Sequence, residues 1–93
     1  MIRSFRHKGL QRFWIRSDMT GLRPDWIQKI NRLLRELDAA RQPQDLSVAG
    51  TGLHALRGDQ KGRYAMTVSR NWRMTFGWDG DAAINIDLED YHG

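Results

Sequence analysis

Apolar residues change their period near the middle of the chain. Before residue 50 they recur at three and four positions, and after residue 62 they alternate. In HKGLQRFWIRS (7–17), Leu10, Phe13 and Trp14 fall at i, i+3 and i+4, one face of a helix. Thr20-Gly21 interrupts that pattern. A longer helix is predicted over 23–41, where Trp26, Ile27, Ile30, Leu33, Leu34 and Leu37 make an apolar stripe. Lys29, Arg32, Arg35 and Glu36 fill its other face. Pro24 suits a first helical position, Asp25 complements the dipole there, and Pro43 follows the end. Residues 42–53 read as a loop with Leu46 and Val48 packing beneath it. IRSF (2–5) alternates apolar and polar residues, as a short strand does.

The second half has the period of strands. Tyr64, Met66 and Val68 share one face of 63–69; Trp72, Met74, Phe76 and Trp78 share one face of 72–78; Ile84, Ile86 and Leu88 share one face of 83–90. Arg70-Asn71 is a tight connection, and Asp79-Gly80-Asp81 is a hairpin turn. The apolar side of this antiparallel meander needs a cover, and the two amphipathic helices are the available one. The expected fold class is therefore α+β: two helices on one face of a small twisted, mainly antiparallel sheet. Strand 2–5 would join its edge or centre. Ninety-three residues suffice for one domain, 1–93, without a second core.

Charge then gives the uncovered face a meaning. The chain carries net charge +4, unevenly spread. Residues 1–78 hold fifteen basic and six acidic side chains, whereas 79–93 hold five acidic and no basic ones. Twelve of the fifteen basic residues are Arg, whose planar fork binds phosphate bidentately and stacks on bases. An ordinary solvated surface has the same composition, so placement matters. By alternation the uncovered face presents Arg63, Thr67, Ser69, Arg73, Thr75, Asn85, Asp87, Glu89 and Tyr91. Two arginines on neighbouring strands, a polar floor and a terminal aromatic suit a nucleic acid. Pairing of Arg73 with Asp87 or Glu89 is the plainer use of the same residues. His92 has the wrong parity to join Tyr91 on an ideal strand, so both reach one site only if the chain curls after Asp90.

LHALRGDQKGR (53–63) is the other loaded stretch. It holds His54, Arg57, Lys61 and Arg63, with Gly58 and Gly62 to let backbone approach a ligand. An imidazole three residues from a guanidinium can support phosphoryl chemistry, although a loop histidine is more often merely exposed. His7, His54 and His92 lack metal-ligand spacing and the chain has no cysteine, so neither metal nor other cofactor is expected. The basic N-terminal stretch lacks a signal peptide's apolar run. No segment approaches the ~20 apolar residues needed to span a bilayer, and a cytoplasmic protein without a membrane partner is expected.

HKGLQRFW, LHALRGDQKGRY and NWRMTFGWDGDAAINIDLEDYH, separated by the long helix, resemble the HigB toxins of the RelE/ParE superfamily of bacterial type II toxin–antitoxin systems. The resemblance covers nearly the whole chain, in order. It implies a RelE-like ribonuclease fold, messenger RNA cleavage in the ribosomal A site and translation inhibition. It also implies a helix-turn-helix (HigA-like) antitoxin that represses the shared operon, so that operator DNA is met through the complex. The family's catalytic pattern, carried over residue by residue, falls on His54, Arg57, Tyr91 and His92, with Lys61, Arg63 and Arg73 as RNA-binding candidates. Arg57 departs from the family's Lys: charge survives, but a guanidinium does not give up a proton at neutral pH. Arg3, Arg6, Arg12 and Arg16 extend the basic surface towards ribosomal RNA. Two other classes share these features: a non-catalytic ParE-like inhibitor of DNA gyrase, which would not need His54 or His92, and a plain nucleic-acid-binding module.

Overall fold

The computed structural model describes residues 1–90. Helix α1 spans Lys8–Arg16, α2 spans Ile27–Ala39 and α3 spans Gln44–Val48; a 3-10 turn over Pro24–Trp26 leads into α2. Strands β1 (His54–Ala55), β2 (Arg63–Thr67), β3 (Trp72–Asp79) and β4 (Ala82–Asp90) form one sheet in the order β1-β2-β3-β4. Every neighbouring pair is antiparallel. The chain is thus α+β, as its periodicities require.

Local chemistry sets the helix ends. The Leu10 N–H donates to His7 Nδ1 at 3.1 Å, satisfying one of the orphan amides of α1. Ser17, in left-handed backbone, closes that helix by donating to the carbonyls of Arg12 and Phe13. Pro24 opens the 3-10 turn, so the helix predicted from residue 23 becomes regular only at Ile27. The segment 42–53 is not all loop. Asp45 Oδ2 accepts the N–H groups of Arg41 and Gln42, and α3 follows. Leu46 packs under it as expected, but Val48 is 90% exposed, because one turn of helix turns it away from Leu46.

The core lies between the helices and one sheet face. Leu10, Ile30, Leu33, Leu34, Leu37 and Leu46 meet Met66, Val68, Met74, Phe76, Ala83, Ile86 and Leu88 there. Truncating such a fully buried leucine to alanine typically costs ~2–5 kcal/mol. Segment 2–5 does not become a strand of the sheet. It touches the outer edge of β4 through parallel bridges, Ile2 with Ala83 and Phe5 with Ile86.

Simple alternation fails at one place. Thr75 pairs with Asp87, but Gly77 pairs with Ile84, so two residues of β4, Asn85 and Ile86, oppose Phe76 alone. This is a β-bulge, with Asn85 at φ 52° in the left-handed region that asparagine tolerates better than most residues. The bulge reverses the parity of β4. Ala83, not Ile84, joins Ile86 and Leu88 on the core side, and Ile84 lies over Gly77 on the opposite face. A Cβ on Gly77 would stand 3.2 Å from Ile84 Cγ1, so the glycine makes room for the displaced side chain.

Candidate active site

On the uncovered face, register places side chains in rows across the strands. One row runs His54, Ala65, Thr75, Asp87; the next runs Thr67, Arg73, Glu89. His54 and Arg73 therefore flank β2 diagonally, with the small Ala65 and Thr67 between them. On ordinary strand spacings their Cα atoms lie roughly 12 Å apart. An open cleft of about 450 Å³ occupies that space, lined by His54, Arg57, Thr67, Ser69, Arg70 and Arg73 among others.

Each wall has a local cause. His54 reaches the cleft because His54 and Ala55 pair with β2 as a short edge strand, and the Leu56 N–H just beyond donates to the Arg63 carbonyl. That strand was hidden in the sequence, since two residues carry no period. Arg57 follows, before a 3-10 turn over Gly58–Gln60. Gly58 and Gly62 have φ of 69° and 94°, and nothing lies within 4 Å of where a Cβ would stand, so they serve the turn's left-handed backbone and not close packing. Arg57 is exposed and makes no ion pair with Asp59 or any other described carboxylate. Arg73 is half-buried on β3, opposite Glu89, consistent with the cross-strand arrangement its position allows.

The other candidates lie elsewhere. Lys61 is exposed at the end of the 56–62 turn and does not line the cleft. Arg63 turns along the sheet: its Nη2 donates to Thr75 Oγ1 and to the Asn85 carbonyl, both at 3.0 Å. Burial, and then the charge of Arg6, hold its guanidinium below the ordinary proton affinity, while Glu89 and Asp87 act the other way. His7 is committed to capping α1. Tyr91 and His92 lie outside the described residues. Among the described residues no three His, Asp or Glu side chains are gathered as a metal site would gather them. Arg70 was missed from sequence because it sits in the turn between β2 and β3, where alternation gives no direction. The available signal was its adjacency to Ser69, the last residue of segment 63–69 assigned to the open face.

A model of the HigB-like toxins, described as the RelE-like toxin of the type II toxin–antitoxin system HigB, matches residues 3–92. The chain belongs to this family. The toxin is 39% identical to "Endoribonuclease HigB" of Proteus vulgaris over 93 residues, covering 99% of this chain and all of that one. It is 31% identical to "Toxin HigB-1" of Vibrio cholerae serotype O1 over 91 residues, 96% of each chain. As a type II toxin it has an antitoxin partner. None of its described helices is long and apolar enough to cross a membrane.

Chemically, the cleft offers one imidazole and three guanidiniums around an open, solvent-reached space. Guanidiniums do not exchange protons near neutrality, so they supply positive charge; imidazole is the side chain that does exchange them. The division suits an anionic centre that gains charge while a proton moves.

Proposed function

We propose that this toxin is an endoribonuclease that cleaves messenger RNA on the ribosome, in the cytoplasm, and is neutralised by a HigA-like helix-turn-helix antitoxin. The observation that carries this reading is the single cleft in which His54 stands among Arg57, Arg70 and Arg73. The name of the Proteus relative supports the same chemistry.

In the proposed reaction an RNA 2′-hydroxyl attacks the adjacent phosphorus. Its proton passes to a neutral imidazole, the O2′–P bond forms and the P–O5′ bond breaks. The departing 5′-oxygen takes a proton, leaving a 2′,3′-cyclic phosphate and a 5′-hydroxyl. His54 and His92 share the base and acid roles; Arg57 cannot act as the acid. Arg57 and Arg73 stabilise the charge growing on the phosphate, and removal of one such stabiliser typically costs ~10²–10³-fold in rate. Tyr91 stacks on or orients a nucleotide, as aromatic side chains do on unpaired RNA. Asp90 is registered against Trp72, next to Arg73, so β4 ends beside the cleft and two further residues span at most about 7 Å. Lys61 and the arginines of the N-terminal segment and α1 hold ribosomal RNA. No metal takes part.

The proposed centre is open and its acid–base groups are few, so positioning by the ribosome carries much of the rate; fixing reactants in place can contribute ~7–11 kcal/mol. The test is cleavage of a defined message, free and on programmed ribosomes. Robust cutting only on ribosomes is expected. Efficient cutting of naked RNA at nanomolar toxin refutes ribosome dependence. Intact message with growth still arrested refutes the nuclease and moves the reading to a gyrase-directed or binding role.

A further inference from the structure

Among the described residues, Asn85 is the one non-glycine strand residue with left-handed backbone, and both of its main-chain groups are held by side chains from distant segments. Its N–H donates to Ser4 Oγ at 2.8 Å, and its carbonyl accepts from Arg63 Nη2 at 3.0 Å. The same Nη2 donates to Thr75 Oγ1, which is fully buried on the neighbouring strand. Arg63 thus ties β2, β3 and the bulged residue of β4 together from the uncovered side. The N-terminal segment closes the outer side, with Arg6 and His7 N–H donating to the Ile86 carbonyl and Ile86 N–H donating to the Ser4 carbonyl.

The bulge sets the course of the rest of β4. Beyond Ile86 the strand delivers Asp87 and Glu89 to the uncovered face, with Glu89 opposite Arg73, and ends at Asp90 against Trp72. A slip by one residue exchanges the two faces, bringing Leu88 out and Glu89 in. Bulged strands recur next to active sites, where they re-aim side chains.

We propose that Arg63 is a positioning residue: its guanidinium pins the Asn85 bulge and so fixes the course on which β4 carries Asp87 and Glu89 along the uncovered face and ends beside Arg73 at the cleft's edge, without touching RNA. The role is distinct from that of the cleft arginines, whose side chains line the space where a phosphate would sit. It rests on the nuclease reading above for its kinetic consequence and on geometry alone for its structural one.

The test uses Arg63→Met in the full chain, with a defined message on programmed ribosomes as substrate. Single-turnover rates against toxin concentration separate the maximal rate from half-saturation. The maximal rate should fall by roughly tenfold or more, the factor that a hydrogen bond to a charged group is worth. Half-saturation and its salt dependence should not change. If Arg63 grips a phosphate instead, half-saturation rises and the salt slope drops by about one unit per lost contact, which overturns the proposal. Adding Asn85→Gly should restore much of the rate, because glycine adopts the left-handed backbone without help; no recovery also overturns it. Should Arg63→Met fail to fold, Thr75→Val carries the test by removing one of the two acceptors. It should lower the maximal rate alone, and an unchanged rate refutes the role. Amide exchange separates this proposal from the nuclease reading. Even if the wild-type toxin cuts nothing, Arg63→Met (or Thr75→Val) should speed exchange at residues 85–90 and leave Met66 and Met74 protected. Equal protection throughout overturns the pinning itself.

Discussion

Arg73 stands on an eight-residue strand with a paired strand on each side, whereas His54 stands on a two-residue edge strand and Arg57 on the turn beyond it. The two walls of the cleft face one space, yet one is built into the sheet and the other is attached to its margin. Turn 56–62 is held by three backbone hydrogen bonds: Leu56 N–H to the Arg63 carbonyl, Gln60 N–H to Arg57 and Lys61 N–H to Gly58. Segments with few buried contacts open locally at lower free energy than central strands. The difference teaches where pre-organisation resides. On the proposed mechanism the charge on β3 is the pre-organised one, and His54 and Arg57, on a margin held by few backbone bonds, are the groups that settle once substrate is present. That division fits the proposed substrate, a message already held by the ribosome.

The largest expected effect lies outside both walls. Deleting Tyr91 to Gly93 should abolish cleavage, a loss of at least ~10²–10⁴-fold if an acid–base group leaves with it. The deletion should leave the melting curve nearly unchanged, because Ala83, Ile86 and Leu88 already complete the core side of β4. An unfolded circular dichroism spectrum for the truncated chain makes the tail structural and removes the main support for its role in the site.

Next comes Arg73→Ala. Loss of a fixed stabilising charge should lower the single-turnover rate by ~10²–10³-fold. Because Arg73 is half-buried and opposite Glu89, some stability should go with it. Arg57→Ala should fall in the same range or below, with no change in melting, since Arg57 is exposed and has no ion pair among described residues. Arg57→Lys should keep activity, because only charge is asked of that position. Greater loss at Arg57 than at Arg73 would reverse the comparison and put the organised wall at the margin of the sheet. Near-wild-type cleavage by Arg57→Ala would remove Arg57 from the site.

The same contrast explains what could be read before the structure. Strands β2, β3 and β4 and helix α2 show their period over many residues, so each appears close to where alternation or the leucine stripe puts it. The helix over Gln44–Val48 and the strand over His54–Ala55 are too short to have a period, and tertiary contacts create them. Asn85 was the visible sign of the bulge, an asparagine inside a strand, but alternation across 83–90 looked unbroken and put Ile84 on the wrong face. His54 and Arg57 were legible in the loaded stretch 53–63 and in the family resemblance, and Arg73 in strand parity; strand register is what brings the three to one cleft. Arg63 shared that parity, yet its long side chain runs along the sheet to Asn85, a direction that no sequence pattern encodes.

The smallest expected effect tests the chain just upstream of His54. There, unlike in turn 56–62, side chains hold the path: Asp45 Oδ2 takes the Arg41 and Gln42 amides, Thr51 Oγ1 donates to the Leu46 carbonyl and Arg32 donates to the Ala49 carbonyl. The Arg41 amide bond, foremost, and the Gln42 contacts hold the Asp45 carboxyl below the usual carboxylate range, although partial desolvation opposes them. A carboxylate with a depressed folded pKa stabilises the fold above its unfolded pKa, ~3.9, and loses that contribution as pH falls through the folded value. Asp45→Asn should therefore lower the melting temperature slightly at neutral pH, by no more than about 4 °C for a surface carboxylate on a half-buried residue. The difference from wild type should shrink steadily below pH ~4 and vanish in stronger acid. Cleavage at neutral pH should stay within about twofold, because Asp45 anchors a path that Thr51 and Arg32 also hold. A large loss of cleavage with little loss of stability would mean that the upstream segment sets the position of His54, and that the margin of the sheet is organised from that side before substrate binds.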